Sequence, residues 1–106
     1  MSMDLTEEDA TFRDVTRRWV NAECSKQYCR ELERQEHVFP QDLWDKLSAF
    51  GAHGIGIPEE FGGQGGSIVT QTLFAREFAR TAAGIGWVWG VTSFSGAKTL
   101  TFCGNE

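Results

Sequence analysis

Gly51-Ala52-His53-Gly54-Ile55-Gly56-Ile57-Pro58-Glu59-Glu60-Phe61-Gly62-Gly63-Gln64-Gly65-Gly66 holds seven glycines and one proline in sixteen residues. No regular helix survives that density, because glycine forfeits backbone entropy in a helix and proline lacks the amide that a helix needs. The stretch reads as an ordered loop with amphipathic segments on either side. Upstream, Phe39-Pro40-Gln41-Asp42 marks a helix start, with Pro40 suited to the first helical position. Leu43, Trp44, Leu47 and Phe50 then form a short apolar face, and Gly51 stops it as a left-handed cap. Downstream, Ser67 is placed to cap another helix. In that helix Gln71, Phe74, Ala75, Phe78 and Ala82 share one side, while Arg76, Glu77 and Arg80 lie elsewhere.

Further out, Thr6 reads as an N-cap, followed by Glu7, Glu8 and Asp9, where the helix dipole favours negative charge. Phe12, Val15, Trp19, Ala22, Cys29 and Leu32 recur at steps of three and four, broken only at Lys26, which predicts one long helix. Arg13, Asp14, Arg17, Arg18, Glu31, Glu33 and Arg34 fall on its other faces and read as solvated or interface charge. At the other end, Gly84 and Gly86 punctuate before a fourth helix running roughly from Ile85 to Cys103. Its apolar residues, from Trp87 to Phe102, cover most of the circumference, and a helix of that kind is surrounded by protein. Few other helices are available here to surround it. The expected fold is all-α, an up-and-down or orthogonal domain of about four main helices.

A length of 106 residues fits one domain, able to bury roughly two-thirds of its unfolded surface. With 41% apolar and 24% charged residues the chain has a globular composition, which argues against disorder. The net charge of -5 disfavours nucleic acid as a partner. Four Trp and eight Phe are a large apolar payload for so short a chain and point to further protein surface covering them. Cys24, Cys29 and Cys103 make neither an even-numbered disulfide framework nor a C-x-x-C metal spacing, and are expected to be unreactive thiols in or near the core. Met1-Ser2-Met3-Asp4 has no basic or apolar signal character, so a cytoplasmic setting is expected. The run from Ile85 to Cys103 is interrupted by Thr92, Ser93, Ser95, Lys98, Thr99 and Thr101, so a buried helix is expected there rather than a membrane span.

The candidate chemistry is sparse. The glycine run ends Gly66-Ser67-Ile68, without the lysine of a P-loop, and follows a helix rather than a strand, which argues against a nucleotide site. Glu59 and Glu60 are adjacent and point apart, so a structural role is expected for them. His37 and His53 have no second ligand at metal spacing, and Ser93 and Ser95 sit in no nucleophile-elbow pattern. No catalytic, metal or cofactor-binding residue emerges.

Several of these stretches resemble the acyl-CoA dehydrogenase family. Thr6-Glu7-Glu8, Phe12-Arg13-Asp14, Phe39-Pro40 and Leu43-Trp44-Asp45-Lys46-Leu47 are similar to its opening. Gly54 to Gly66 resembles a specific signature of its amino-terminal domain, and Glu77-Phe78-Ala79-Arg80 and Gly104-Asn105-Glu106 fit as well. Thr99 departs from the pattern, standing where the family often has proline. The resemblance implies that residues 1–106 are the amino-terminal helical domain, without the middle β-domain that supplies much of the flavin site or the final helical domain that usually carries the catalytic carboxylate.

The implied reaction is α,β-dehydrogenation of an acyl-CoA thioester. A carboxylate takes the α-proton while FAD accepts the β-hydride, and protein groups orient the reacting carbons. FAD is expected in the complete enzyme and not on this chain alone, which is expected to be inactive by itself. By position in the resemblance, Trp87, Val88, Val91 and Ser95 are expected to line the acyl-chain pocket, the last three sharing a face at steps of three and four. Trp87 would favour a short, branched or unusually shaped acyl group. The competing reading is that these four only pack against neighbouring helices. At the level of function the alternatives are a non-catalytic interaction subunit of a hetero-oligomeric flavoenzyme, or the same domain of a related flavin oxidase or monooxygenase. In each case a homo- or hetero-oligomer with related chains is expected.

Overall fold

The computed structural model describes residues 4–35 and 39–105; His37 and Glu106 lie outside them. Helix α1 spans Glu7–Glu23, and the Thr6 hydroxyl accepts the Asp9 amide at 3.0 Å, with three acidic residues in the first turn. The long helix expected from the apolar stripe is in fact two. The chain breaks at Cys24, and Ser25 recaps it by accepting the Tyr28 amide at 3.2 Å, opening α2 (Lys26–Glu33). A serine hydroxyl that can bond to backbone competes with helix continuation, and periodicity alone does not register that competition. The buried face also differs from the expected stripe. Thr16, Val20 and Cys24 are fully buried, whereas Val15 and Ala22 are exposed. Phe12, Trp19 and Leu32 are half-buried against the core and Cys29 is buried, so the expected stripe fails only at Val15 and Ala22, with Thr16 and Val20 in the inner positions beside them.

Helix α3 (Gln41–Phe50) begins just after Pro40 and ends at Gly51, whose φ of 86° is the left-handed cap. The glycine loop follows as two short 3-10 turns, Ala52–Gly54 and Glu59–Phe61, drawn together by a single parallel bridge between Ile55 and Gly65. Glycine is obligatory at two points here. A Cβ on Gly56 (φ 79°) would collide with the Gln71 side chain, and one on Gly63 with the Ile57 carbonyl.

Helix α4 (Ile68–Trp89) opens on a capping box between Ser67 and Thr70 and kinks at Ala82 (φ -125°, ψ 48°), two residues before the glycine where the break was expected. Past Trp89 the rod continues as a π-helical turn, Gly90–Gly96, and then as α5 (Ala97–Cys103). No strand forms among the described residues, and the all-α expectation holds.

α1 packs along α4. Between them and α3 lies an aromatic core in which Trp19 stacks on Phe50 at 4.5 Å and Phe74 meets Trp89 at 4.7 Å and Phe78 at 5.5 Å. Glu77 is not on a solvated face. It is 2% exposed and accepts two bonds from Arg17 (2.9 and 3.1 Å) and one from Arg80 (3.0 Å), and the Arg17 guanidinium holds its carboxyl below the usual range. Arg17, expected to be solvated or interface charge, is half-exposed and clamps α1 to α4.

Cys24 and Cys29 are buried, and burial pushes the Cys24 thiol up to about 12. Cys103 is exposed, contrary to the core position expected for all three cysteines; it lies in the last turn, beyond the packed part of the rod. Among the described residues no helix is long and apolar enough to cross a membrane.

Candidate functional site

Several apolar side chains of the α4–α5 rod reach solvent. Trp87 is 75% exposed, Val91 54%, Leu100 72% and Phe102 77%. Trp87, Val91 and Ser95 line a shallow groove of about 350 Å³, with Ala75, Thr72 and Phe94 among its walls. Val88, the fourth residue expected there, is half-buried and is not among the groove's lining residues. The π turn accounts for this grouping. A step of four overshoots one turn of an α-helix but falls short of one turn of a π-helix. From Trp87 to Val91 the path is mainly α-helical, and from Val91 to Ser95 it is π-helical, so the two offsets cancel and the three residues align.

The groove is uncharged. Its Thr72 hydroxyl already donates to the Ile68 carbonyl at 2.7 Å. That leaves an apolar, concave strip suited to a hydrocarbon chain and poorly suited to an anion.

On the opposite side, the rod is stitched to the glycine loop. The Trp89 indole N–H donates to the Ala52 carbonyl at 3.0 Å, and Gln71 Nε2 donates to the Ile55 carbonyl at 2.9 Å. The Lys98 ammonium donates to the Gly56 carbonyl at 2.8 Å, and His53 Nδ1 lies 2.7 Å from Ser93 Oγ. Sequence reasoning missed the His53–Ser93 pair, since forty residues separate its members and no motif joins them. It is not a nucleophile and its base, because Ser93 is 3% exposed and substrate cannot reach it. Burial holds the His53 imidazole below its usual 6.5, and its ring lies 4.5 Å from that of Trp44.

The loop does not present a phosphate cradle either. The amides of Gly56, Gly62, Gly63, Gln64 and Gly65 all donate to carbonyls within the loop. Glu59 and Glu60 are exposed on its second 3-10 turn. Among the described residues no group of three or more His, Cys, Asp or Glu is placed to hold a metal ion.

Comparison with known proteins shows the family of the chain. Residues 6–106 match the family model described as Acyl-CoA dehydrogenase, N-terminal domain. The acryloyl-CoA reductase (NADH) of Anaerotignum propionicum is 35% identical over 80 residues, covering 76% of this chain and 20% of that protein. An acyl-CoA dehydrogenase of Bacillus subtilis (strain 168) is 29% identical over 104 residues, covering 98% of this chain and 27% of the relative. The caffeyl-CoA reductase-Etf complex subunit CarC of Acetobacterium woodii is 32% identical over 80 residues, covering 76% and 21%. This chain thus spans about a fifth to a quarter of the length of these relatives. No solved structure matches it significantly. The chain belongs to the acyl-CoA dehydrogenase family and carries that family's amino-terminal helical domain.

Proposed function

We propose that this domain forms the acyl-chain wall of an FAD-dependent enzyme that dehydrogenates acyl-CoA thioesters. Trp87, Val91 and Ser95 would touch the chain, with Val88 beside them on the adjoining half-buried face. The observation that carries the reading is the uncharged groove whose largest member, Trp87, is 75% exposed. The relatives named above all act, by description, on CoA thioesters.

FAD would supply the hydride acceptor of that reaction. Its pyrophosphate and pyrimidine edge need charged and amide donors, which this groove lacks, so the residues lining the groove do not fit the flavin. Their contribution is to bind the acyl chain, orient it and exclude water. Trp87 narrows the groove, which favours short or branched chains over long straight ones. Exposed Leu100 and Phe102 also favour contact with a second polypeptide, in a homo- or hetero-oligomer with related chains. Buried, unpaired Cys24 and Cys29 fit a reducing cytoplasmic setting.

The test is a chimera in which this chain replaces the corresponding part of the Bacillus subtilis acyl-CoA dehydrogenase. Trp87→Ala should raise kcat/KM for long straight acyl-CoA relative to short branched acyl-CoA by about tenfold or more, the scale on which apolar pockets discriminate. A ratio unchanged within about twofold would remove Trp87 from the substrate wall.

A further inference from the structure

The contacts between the glycine loop and the rod follow an order. Ala52, His53 and Gly56 meet Trp89, Ser93 and Lys98 in turn, so the loop runs alongside the rod like one side of a zip. The rod's spacing is four and then five residues. In an unbroken α-helix, nine steps of about 100° would put Lys98 half a turn away from Trp89, on the opposite side. The π turn takes up about one residue of that offset, within reach of the long Lys98 side chain: the Ala97 amide bonds to the Thr92 carbonyl five residues back, as well as to Phe94. Lys98 therefore reaches Gly56 because Gly90–Gly96 is wound wide. The same winding aligns Val91 and Ser95 with Trp87 on the groove side. His53 grips the middle of the turn. Its Nδ1 is committed to buried Ser93, and its ring is backed by Trp44. Thr99 keeps an amide in the following turn, and its hydroxyl donates to the Ser95 carbonyl at 2.8 Å.

We propose that the glycine-rich loop sets the register of the groove wall. His53 on Ser93 and the Gly56 carbonyl on Lys98 hold the Gly90–Gly96 turn in its wide form, and so determine which side chains face the acyl chain. His53 and Lys98 are thus positioning residues for substrate selection, acting through the helix without touching substrate. The selection half of this inference rests on the acyl-wall reading above, whereas the register half stands on the geometry alone.

The two halves are tested separately. In the 106-residue chain, NMR couplings across hydrogen bonds identify the carbonyl partner of the Ala97 amide. Native protein should show a coupling to Thr92, and His53→Ala and Ser93→Ala should abolish it and pair the amide with the carbonyl of residue 93, four residues back. His53→Asn, which keeps a polar atom at the Nδ1 position, should restore it. In the chimera, His53→Ala and Lys98→Met should change the ratio of kcat/KM between branched and straight acyl-CoA by about fivefold, with kcat on the better substrate held within about twofold. His53→Asn should return that ratio to the native value. Unchanged amide pairing in all variants would overturn the register claim. Altered pairing with an unchanged ratio would overturn the selection claim. In that last case Trp87→Ala tells the failures apart: if it does shift the ratio, the acyl wall stands and the loop does not govern it, and if it does not, the acyl-wall reading has itself failed.

Discussion

Trp87 and Trp89 are two residues apart and chemically identical, yet the structure gives them opposite roles. Trp89 is 1% exposed, packs against Phe74 and donates its indole N–H to the Ala52 carbonyl. Replacing it with phenylalanine removes that donor and strands a buried carbonyl, at a cost of about 1.5 kcal/mol. The smaller ring leaves a void worth about another 1.5 kcal/mol, given the larger loss expected for full truncation to alanine. Trp89→Phe should therefore destabilise the domain by about 3 kcal/mol. With a urea slope of about 1.5 kcal/mol/M, the unfolding midpoint should fall by about 2 M. Trp87→Phe, at a site open to solvent, should shift stability by no more than about 0.5 kcal/mol. Far-ultraviolet circular dichroism in urea reads both, unaffected by the loss of a fluorophore. Equal midpoints for the two variants would refute the assignment of inner and outer faces.

Three other outcomes follow from the same geometry. Gly56→Ala combines left-handed strain with loss of the Gln71–Ile55 hydrogen bond and should cost about 3 kcal/mol; Gly62→Ala, at φ 84° with nothing near its Cβ, should cost only about 1–2 kcal/mol. Urea midpoints that rank the two the other way would show that Gln71 yields freely. A thiol reagent at mildly alkaline pH should modify Cys103 rapidly, and Cys24 and Cys29 only on unfolding; two fast thiols, counted by mass, would contradict the burial of that pair. Because burial lowers the folded-state pKa of His53, the unfolded chain takes up a proton first as pH falls. Stability should be unaffected by this group well above pH 6.5, decline as pH drops through that value, and level off below the folded-state pKa. His53→Asn should flatten that part of the pH profile, and an unchanged slope in urea titrations would show that His53 does not cause it.

What could be read from the sequence was local chemistry. Thr6, Gly51 and Ser67 act as caps because a hydroxyl or a glycine at a helix end finds its partner within three residues. What could not be read depends on distant groups. Glu77 looks like any helix-surface carboxylate until Arg17, sixty residues away, is laid across it. Ser25 restarts a helix that periodicity would run straight on. The kink falls at Ala82 and not at the nearby glycines, where backbone freedom alone would put it. For the groove, resemblance supplied Trp87, Val88, Val91 and Ser95; the π turn that brings Trp87, Val91 and Ser95 into one concavity and leaves Val88 out is marked by neither periodicity nor composition.

The central claim is that an acyl chain lies against this groove, and substrate protection tests it most directly. In the chimera with Cys103→Ser, the reaction of Ser95→Cys with a maleimide is timed with and without saturating acyl-CoA. Acyl-CoA should slow modification by about tenfold or more, the occlusion expected where a pocket buries most of its ligand, while free CoA should leave it unchanged. Equal rates with acyl-CoA and with buffer would place the acyl chain elsewhere and contradict the account.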